Sequence, residues 1–225
     1  MNAGTAEFYD NMLPVMERYY EGKNGRLARI NKSLSAIVKP GMRILDVGCG
    51  VGFTSRHLVG LEAVVTAIDI SPKLLGFAMR TVGYKNIAYI LGDICEFKSE
   101  EKFDIIVFAD SFEHIPQDKI EGVVCGLLRH NTHKESLVYI NIPDGNFSNF
   151  LRVNHPEKQQ EVECSYSISY ILDLFNTGGF EPTHVSVYGI DTNVQYNEYL
   201  FCNKDRLMEF YSKTFLSGAD GKHNS

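Results

Sequence analysis

Apolar positions follow two alternating patterns along this chain. Short continuous runs of apolar, largely β-branched residues occur at 42–47, 63–69, 87–91, 103–109 and 136–142. Runs of this kind are typical of strands that are covered on both faces, as in a parallel sheet with crossover helices. The stretches between the runs are long enough for those helices. The pattern therefore predicts an α/β fold, with helices on both faces of a mostly parallel sheet.

Two of the predicted helices have recognisable ends. Ser71 and Pro72 are a cap followed by the favoured first-turn proline, and Gly83 closes the same segment. A later helix presents an apolar face from Ile168 to Phe175 and stops before the glycine pair at 178–179. Both segments follow predicted strands, as crossover helices must.

The last two predicted strands, 183–190 and 196–203, are separated by only a few residues. That gap is too short for a crossover helix, so these strands should be antiparallel neighbours. The expected architecture is a seven-stranded, mostly parallel sheet with an antiparallel last strand.

The chain divides into a main domain with helical and polar additions. Two helical segments, roughly 5–21 and 24–38, precede the first strand. We expect a helical cap or lid at 1–38, the main domain at 39–216 with a substrate-side insertion at 143–166, and a flexible tail at 217–225.

Composition narrows the classes of function. The 225 residues carry a formal net charge of −6, which disfavours a general nucleic-acid binder because such a surface must be basic. No apolar run approaches the roughly 20 residues that cross a bilayer, and the first ten residues lack the features of a signal peptide. The five cysteines contain no CxxC pair. We expect a cytoplasmic protein without membrane partners; a homodimer is left open.

A glycine-rich turn follows the first predicted strand. Gly48, Gly50 and Gly52 would permit a tight turn that lets a ligand approach the backbone at a helix N-terminus. Phe53 stands where a dinucleotide fingerprint would have its third glycine. Asp46, just before the turn, would repel a pyrophosphate but suits a ligand that carries an ammonium and a sulfonium group.

Acidic residues also end the next two predicted strands. Asp69 lies where an acid can chelate both hydroxyls of a ribose. Asp93 lies where a carboxylate can accept a hydrogen bond from an adenine amino group. Together with the glycine turn, these positions describe an adenosine site along one edge of the sheet.

The chain resembles the class I S-adenosylmethionine-dependent methyltransferases, which have a Rossmann-like fold. The resemblance covers roughly residues 40–205 and rests on "LDVGCGVG", "AIDIS", "GDI" and "FDIIVFADSFEHI". It implies S-adenosyl-L-methionine as cofactor, and a set of contacts along the strand ends. The implied contacts are the methionine end at Asp46, Gly48, Cys49 and Gly50, the ribose at Asp69 and Ile70, the adenine at Asp93 and Ile94, the methyl group at Ala109, and Tyr20 from the helical cap.

The stretch "FADSFEHIP" supplies the candidate chemistry. If the chain turns helical at Asp110, then Asp110, Glu113 and His114 share one face. His114 is the leading general base for a substrate hydroxyl, because its unperturbed pKa lies near neutrality. The alternative is structural, with Asp110 as a helix N-cap and Glu113 completing a capping box.

A divalent metal is a further alternative for the same three side chains. Resemblance to ubiquinone-pathway and small-RNA methyltransferases implies that Asp110, Glu113 and His114 would hold it, although those families carry Glu at the position of Asp110. His155, in the insertion, is the candidate for the further ligand, and it is the second candidate base.

The expected reaction is methyl transfer to a small-molecule acceptor, with O-methylation of a sugar, phenol or natural-product intermediate favoured. Small-molecule N-methylation, RNA 2′-O-methylation and a catalytically silent cofactor-binding scaffold remain as alternatives.

Overall fold

The structure is a computed structural model that describes residues 3–21, 25–155, 160, 162–190 and 194–211. Its helices are α1 Ala3–Asn11, α2 Leu13–Glu21, α3 Gly25–Ile37, α4 Phe53–Gly60, α5 Pro72–Val82, α6 Ile120–His130, α7 Gly145–Asn154, α8 Ile168–Thr177 and α9 Lys204–Tyr211. Its strands are β1 Arg43–Val47, β2 Val64–Asp69, β3 Ile87–Leu91, β4 Ile105–Ala109, β5 Leu137–Pro143, β6 Phe180–Ile190 and β7 Val194–Asn203. Short 3₁₀ turns follow β3 and β4, at Ile94–Glu96 and Phe112–His114.

The seven strands form one sheet in the order β3-β2-β1-β4-β5-β7-β6. Strands β1 to β5 pair in parallel, whereas β7 runs antiparallel to both β5 and β6. The predicted fold class, including the reversed final strand, is confirmed. The reversal follows from the short β6–β7 connection, which leaves no room for a crossover.

The sheet is covered on both faces, as the continuous apolar runs predicted. On one face Ile30, Leu34, Leu58 and Leu75 bring α3, α4 and α5 into one cluster. On the other face α6 and α8 pack against the sheet through residues such as Ile120 and Phe175. Because each strand alternates its side chains between these clusters, the carboxyl ends of the parallel strands all meet along one rim.

Two segments differ from the predicted elements. The helix expected at 5–21 is divided into α1 and α2 at Met12, because Pro14 cannot donate a helical hydrogen bond and its ring crowds the preceding turn. The substrate-side insertion at 143–166, for which no helix was predicted, contains the ten-residue helix α7. Asp144 is the N-cap of α7 and accepts hydrogen bonds from the backbone amides of Asn146 and Phe147. The apolar pattern of the sequence did not reveal this helix start.

The predicted tail, 217–225, lies outside the described residues. Among the helices that the structure describes, none combines the length and the hydrophobicity needed to cross a membrane.

Candidate functional site

A cavity of about 350 Å³ lies over the carboxyl ends of the parallel strands. Its size is in the usual range for small-molecule sites. Residues after β1, β2, β3 and β4 line its floor, and residues of α1, α3, α7 and β7 contribute to its walls. The cavity therefore brings the predicted cofactor edge and the "FADSFEHIP" stretch into one space.

The glycine turn adopts the conformation that its sequence predicted. Gly48, Gly50 and Gly52 all have positive φ, at 69°, 54° and 85°. A side chain at Gly48 would also place its Cβ 2.5 Å from the Cβ of Ser111, whose hydroxyl donates to the carbonyl of Val47. Gly48 and Gly50 line the cavity, so the backbone there is open to a ligand.

Asp69 is buried at the end of β2 and lines the cavity. Its carboxylate accepts from the amide of Gly50 at 2.7 Å and from the amide of Ser71 at 2.8 Å. Burial raises the pKa of Asp69 to about 6, against the effect of these hydrogen bonds. Asp69 thus fixes the glycine turn to the next strand and presents its carboxyl group at the predicted ribose position.

The predicted adenine side also lies on the cavity wall. Asp93 caps the short turn after β3, accepting from the amide of Cys95 at 2.9 Å. Asp93, Ile94 and Ile70 all line the cavity. The structure therefore brings these three residues together with Asp69, Gly48 and Gly50.

Three predicted cofactor residues lie behind the cavity instead of on its wall. Asp46 is 1% exposed and accepts a hydrogen bond from the Ser55 hydroxyl at 2.6 Å, so it faces α4. Cys49 is buried in the α3–α5 core, and Ala109 packs against the same core. Asp46, Cys49 and Ala109 therefore pack on the core side of the glycine turn and of the strand ends, opposite the cavity.

The helical cap lines the cavity through Thr5 and Tyr9 of α1 and through Met16 of α2. Tyr9 lines the cavity, and its ring meets that of His114 edge-to-face at 5.8 Å. Asp10 holds α1 in place by accepting from the Ser71 hydroxyl and the Lys73 amide at the start of α5. Tyr20, also in α2 and predicted to contact the cofactor, instead stacks on Phe53 and does not line the cavity.

Asp110 does not cap a helix. Its backbone is left-handed, with φ at 57°, and the following 3₁₀ turn starts after Ser111. The Asp110 carboxylate accepts from the Asn141 side-chain amide at 2.9 Å, and pairs with the Arg26 guanidinium at 2.9 Å. The capping alternative is thus wrong, because the left-handed residue turns the carboxyl group toward the cavity wall.

Glu113 is 4% exposed and lines the cavity. Among the described residues its Oε2 has no hydrogen-bond partner. Burial, assisted by the nearby charge of Asp110, raises the pKa of Glu113 well above its ordinary value. Burial therefore favours the protonated, uncharged form of Glu113, which can donate one hydrogen bond to a ligand as well as accept one.

His114 is oriented by the segment that follows α7. Its Nδ1 lies 2.7 Å from the carbonyl oxygen of Val162, and a carbonyl can only accept. Nδ1 therefore carries the proton, which leaves the lone pair on Nε2. Burial also lowers the pKa of His114, so the neutral imidazole is the stable form. His114 thus has the protonation state of a general base.

His155, the second predicted base, is not part of this group. It follows the last turn of α7, where its ring lies 6.2 Å from that of Phe150, and it does not line the cavity. Because residues 145–154 form α7, His155 lies at the carboxyl end of that helix. The residues directly after it, 156–159, are outside the described part of the chain.

The candidate metal ligands do not form a metal-binding group. Within the described residues no set of three His, Cys, Asp or Glu side chains is arranged to hold a metal ion. Both oxygens of Asp110 are already engaged, by Arg26 and Asn141. Nε2 of His114 lies 3.8 Å from Glu113 Oε1. The side chains present therefore do not fit a divalent ion as they stand.

Several cavity residues gave no signal in the sequence. Arg26 comes from α3, Tyr196 from β7 and Gln160 from the segment after α7. Only their positions in the folded chain bring them to the cavity. The Oε1 atom of Gln160 is buried and, like Oε2 of Glu113, has no hydrogen-bond partner among the described residues.

Comparisons with known proteins point to one family. Residues 44–133 match the family model described as "Methyltransferase domain". The chain is 35% identical over 99 residues to the ubiquinone biosynthesis O-methyltransferase of Glaesserella parasuis, a match over 40% of this chain and 41% of that protein. It is 26% identical over 129 residues to the malonyl-[acyl-carrier protein] O-methyltransferase of Anoxybacillus flavithermus, over 54% of this chain and 49% of that protein. The matches thus span less than half the length of these curated relatives.

Solved structures share the fold at low identity. The magnesium protoporphyrin IX methyltransferase of Synechocystis, with bound S-adenosylhomocysteine, superposes with a TM-score of 0.69 at 16% identity, covering 88% of this chain and 97% of that one. The 1,6-didemethyltoxoflavin-N1-methyltransferase of Burkholderia thailandensis gives 0.69 at 13% identity, covering 89% and 87%. At these identities the superpositions establish a common fold.

Proposed function

We propose that this chain, a class I S-adenosylmethionine-dependent methyltransferase by its fold and its family match, transfers a methyl group to a small-molecule acceptor. The acceptor group that the site suits best is a hydroxyl of a sugar, phenol or natural-product intermediate. The observation that carries this proposal is the neutral His114, with its lone pair on Nε2, in the same cavity as Asp69 and Asp93.

The cofactor half of the cavity fits S-adenosylmethionine. The positive-φ glycines leave backbone open at the turn, and the carboxyl groups of Asp69 and Asp93 stand at successive strand ends. Such acids suit ribose hydroxyls and an adenine amino group. When bound, the cofactor supplies an electrophilic methyl group on a sulfonium.

The acceptor half provides positioning and proton removal. Methyl transfer is an in-line displacement, so the protein must align the attacking hydroxyl and take its proton. Nε2 of His114 is available for that proton, since Nδ1 is committed to Val162. Glu113 Oε2 and Gln160 Oε1 would bind further polar groups of the acceptor. A polyhydroxylated or phenolic molecule carries such groups.

N-methylation is the second candidate, and the acidic side chain of Asp110 favours it. A neutral amine acceptor needs no strong base, and the Asp110 carboxylate could stabilise the positive charge that develops on its nitrogen. The two candidates differ in their need for His114: loss of its imidazole should abolish O-methylation but leave methylation of an amine largely intact.

Calorimetric titration with S-adenosylhomocysteine tests the cofactor site before any acceptor is known. We expect the wild type to bind with a Kd on the order of 1–100 μM, and Asp69→Ala to lose at least about tenfold in affinity. Asp173→Ala, on an exposed position of α8, is the matched control and should bind as the wild type does. An acceptor screen that starts with sugars and phenols follows.

A wild type that fails to bind S-adenosylhomocysteine would argue against the enzyme proposal. Equal binding by Asp69→Ala would instead show that the ligand lies elsewhere than along the β2 end.

A further inference from the structure

We propose that the Arg26 guanidinium is the built-in cation of the acceptor side of the cavity, in the place where a divalent metal would otherwise bind Asp110 and Glu113. Its catalytic consequence rests on the proposed function, but the cation site itself can be tested without any turnover. Arg26 is then a positioning residue that acts through Asp110.

Arg26 is held from two directions. Its Nε lies 2.9 Å from Oδ2 of Asp110, and an Nη atom donates to the Tyr196 hydroxyl at 2.7 Å. The guanidinium carbon also lies 5.3 Å from the centre of the Tyr196 ring, a cation–π distance. The Arg26 side chain is therefore held in the cavity wall both by Tyr196 of β7 and by Asp110.

Each oxygen of the Asp110 carboxylate already has a donor in this arrangement. Oδ2 pairs with Arg26, and Oδ1 accepts from the Asn141 amide. The Asn141 carbonyl in turn accepts from the Tyr188 hydroxyl, which fixes the amide orientation. A divalent ion at Asp110 would therefore share the carboxylate with the guanidinium, and the two positive charges would repel each other.

The charge of the site is balanced without a metal. Glu113 is buried and the Asp110 side chain is 17% exposed, and a carboxylate beside an imidazole attracts a divalent cation when nothing else neutralises its charge. Arginine keeps its charge at every physiological pH, and its planar fork suits a carboxylate. With Arg26 in place a divalent ion would meet a positive charge as well as occupied oxygens.

The backbone of α3 does not depend on Arg26 for its position. One turn further along, Arg29 pairs with the buried Glu198 of β7 at 2.7 Å, and Ile30 and Leu34 are fully buried. Replacement of Arg26 should therefore remove a charge without detaching the helix. Arg129, at an exposed position of α6 and away from the cavity lining, serves as the control arginine because Arg29 itself holds α3 to β7.

Manganese binding, measured by electron paramagnetic resonance on the purified chain, tests the proposal directly. We expect the wild type to show little affinity for Mn²⁺, and Arg26→Ala to bind it at least about tenfold more tightly. The gain should disappear in the double variant Arg26→Ala/Asp110→Asn. Arg26→Lys, which restores a cation, and Arg129→Ala should both resemble the wild type.

The same variants separate this inference from the proposed function. Arg26→Ala should keep S-adenosylhomocysteine affinity within about threefold, because Asp69 and the glycine turn are unchanged, while turnover falls and is partly restored by Arg26→Lys. Wild-type turnover should be unaffected by a chelator. Failure of the wild type to bind S-adenosylhomocysteine would contradict the proposed enzyme function. The manganese measurement would still test the cation site, because it does not depend on cofactor binding.

Two results would overturn the inference. Tight Mn²⁺ binding by the wild type, together with loss of turnover in chelator, would mean that Arg26 moves aside for a metal. Absence of any Mn²⁺ binding by Arg26→Ala would mean that the carboxyl groups do not form a cation site.

Discussion

The carbonyl oxygen of Val162 lies 2.7 Å from Nδ1 of His114, and this contact determines which ring nitrogen can act as a base. Replacing His114 by Ala removes that base, so we expect turnover of a hydroxyl acceptor to fall on the order of 10²-fold or more. His114→Asn places an amide near the position of Nδ1 and can still donate to Val162. It supplies no base, so we expect a similar loss; steady-state kinetics on the acceptor found by screening provides the measurement.

The pH profile offers an independent check on His114. Because burial lowers its pKa below 6.5, the neutral form persists to lower pH than for a free imidazole, and kcat/KM should decline only below about pH 6.5. If His114→Asn turned over at nearly the wild-type rate, positioning alone would account for catalysis.

Gly48 should be intolerant of any side chain. A non-glycine residue at its φ of 69° costs about 1–2 kcal/mol, and a Cβ there would also overlap Ser111. We expect Gly48→Ala to lower the free energy of unfolding by at least that amount and to weaken S-adenosylhomocysteine binding. Urea denaturation and calorimetry measure the two effects.

Gly60, at the end of α4, is the matched control for this substitution. An added Cβ meets no atom within 4 Å there, so Gly60→Ala should preserve both stability and binding. Equal behaviour of the two variants would mean that the turn does not need the conformation described.

Glu113 should act in its protonated form. Its pKa is raised well above the ordinary value by burial, so at neutral pH the uncharged amide of Glu113→Gln imitates it closely. We expect Glu113→Gln to retain most of the wild-type turnover, and Glu113→Ala to raise the KM of the acceptor on the order of tenfold through the lost hydrogen bond. A steep loss in Glu113→Gln would instead indicate that the ionised carboxylate is required.

The sequence was sufficient for the elements whose signals are local. The apolar runs predicted every parallel strand, and the short link between the last two strands predicted their antiparallel pairing. Asp69 and Asp93 could be placed on one rim because the carboxyl ends of parallel strands necessarily meet there.

The acceptor side depends on contacts that no local pattern encodes. Arg26 reaches Asp110 only because α3 packs on the sheet beside β7. Tyr9 and Tyr20 look alike in the sequence, but only Tyr9 lines the cavity, whereas Tyr20 stacks on Phe53. Asp110 has a left-handed backbone and does not act as the helix N-cap that the sequence allowed. The pattern of apolar and polar residues does not mark a single non-glycine residue at positive φ.

Asp46 should make the stability of the protein depend on pH in a predictable direction. Burial raises its pKa from 3.8 to about 6, so the folded state holds a proton that the unfolded state releases. This contribution to stability is fully present below the unfolded value and is lost as the pH rises through about 6. Asn at this position can still accept from Ser55 but does not titrate. Between pH 7 and pH 5, the wild type should therefore gain about 1 kcal/mol in unfolding free energy relative to Asp46→Asn.

Urea denaturation of both proteins at the two pH values measures that difference, with the exposed Asp173→Asn as control. Because the comparison is between variants, titrating groups far from Asp46 contribute equally and cancel, whereas Asp69, whose charge acts on Asp46, does not. A constant difference between wild type and Asp46→Asn at both pH values would show that Asp46 is already ionised at pH 5 in the folded chain. Its carboxylate would then be solvated by something other than the Ser55 hydroxyl, such as water reaching it through the glycine turn, and Asp46 would regain the direct role at the cofactor that its sequence position predicted.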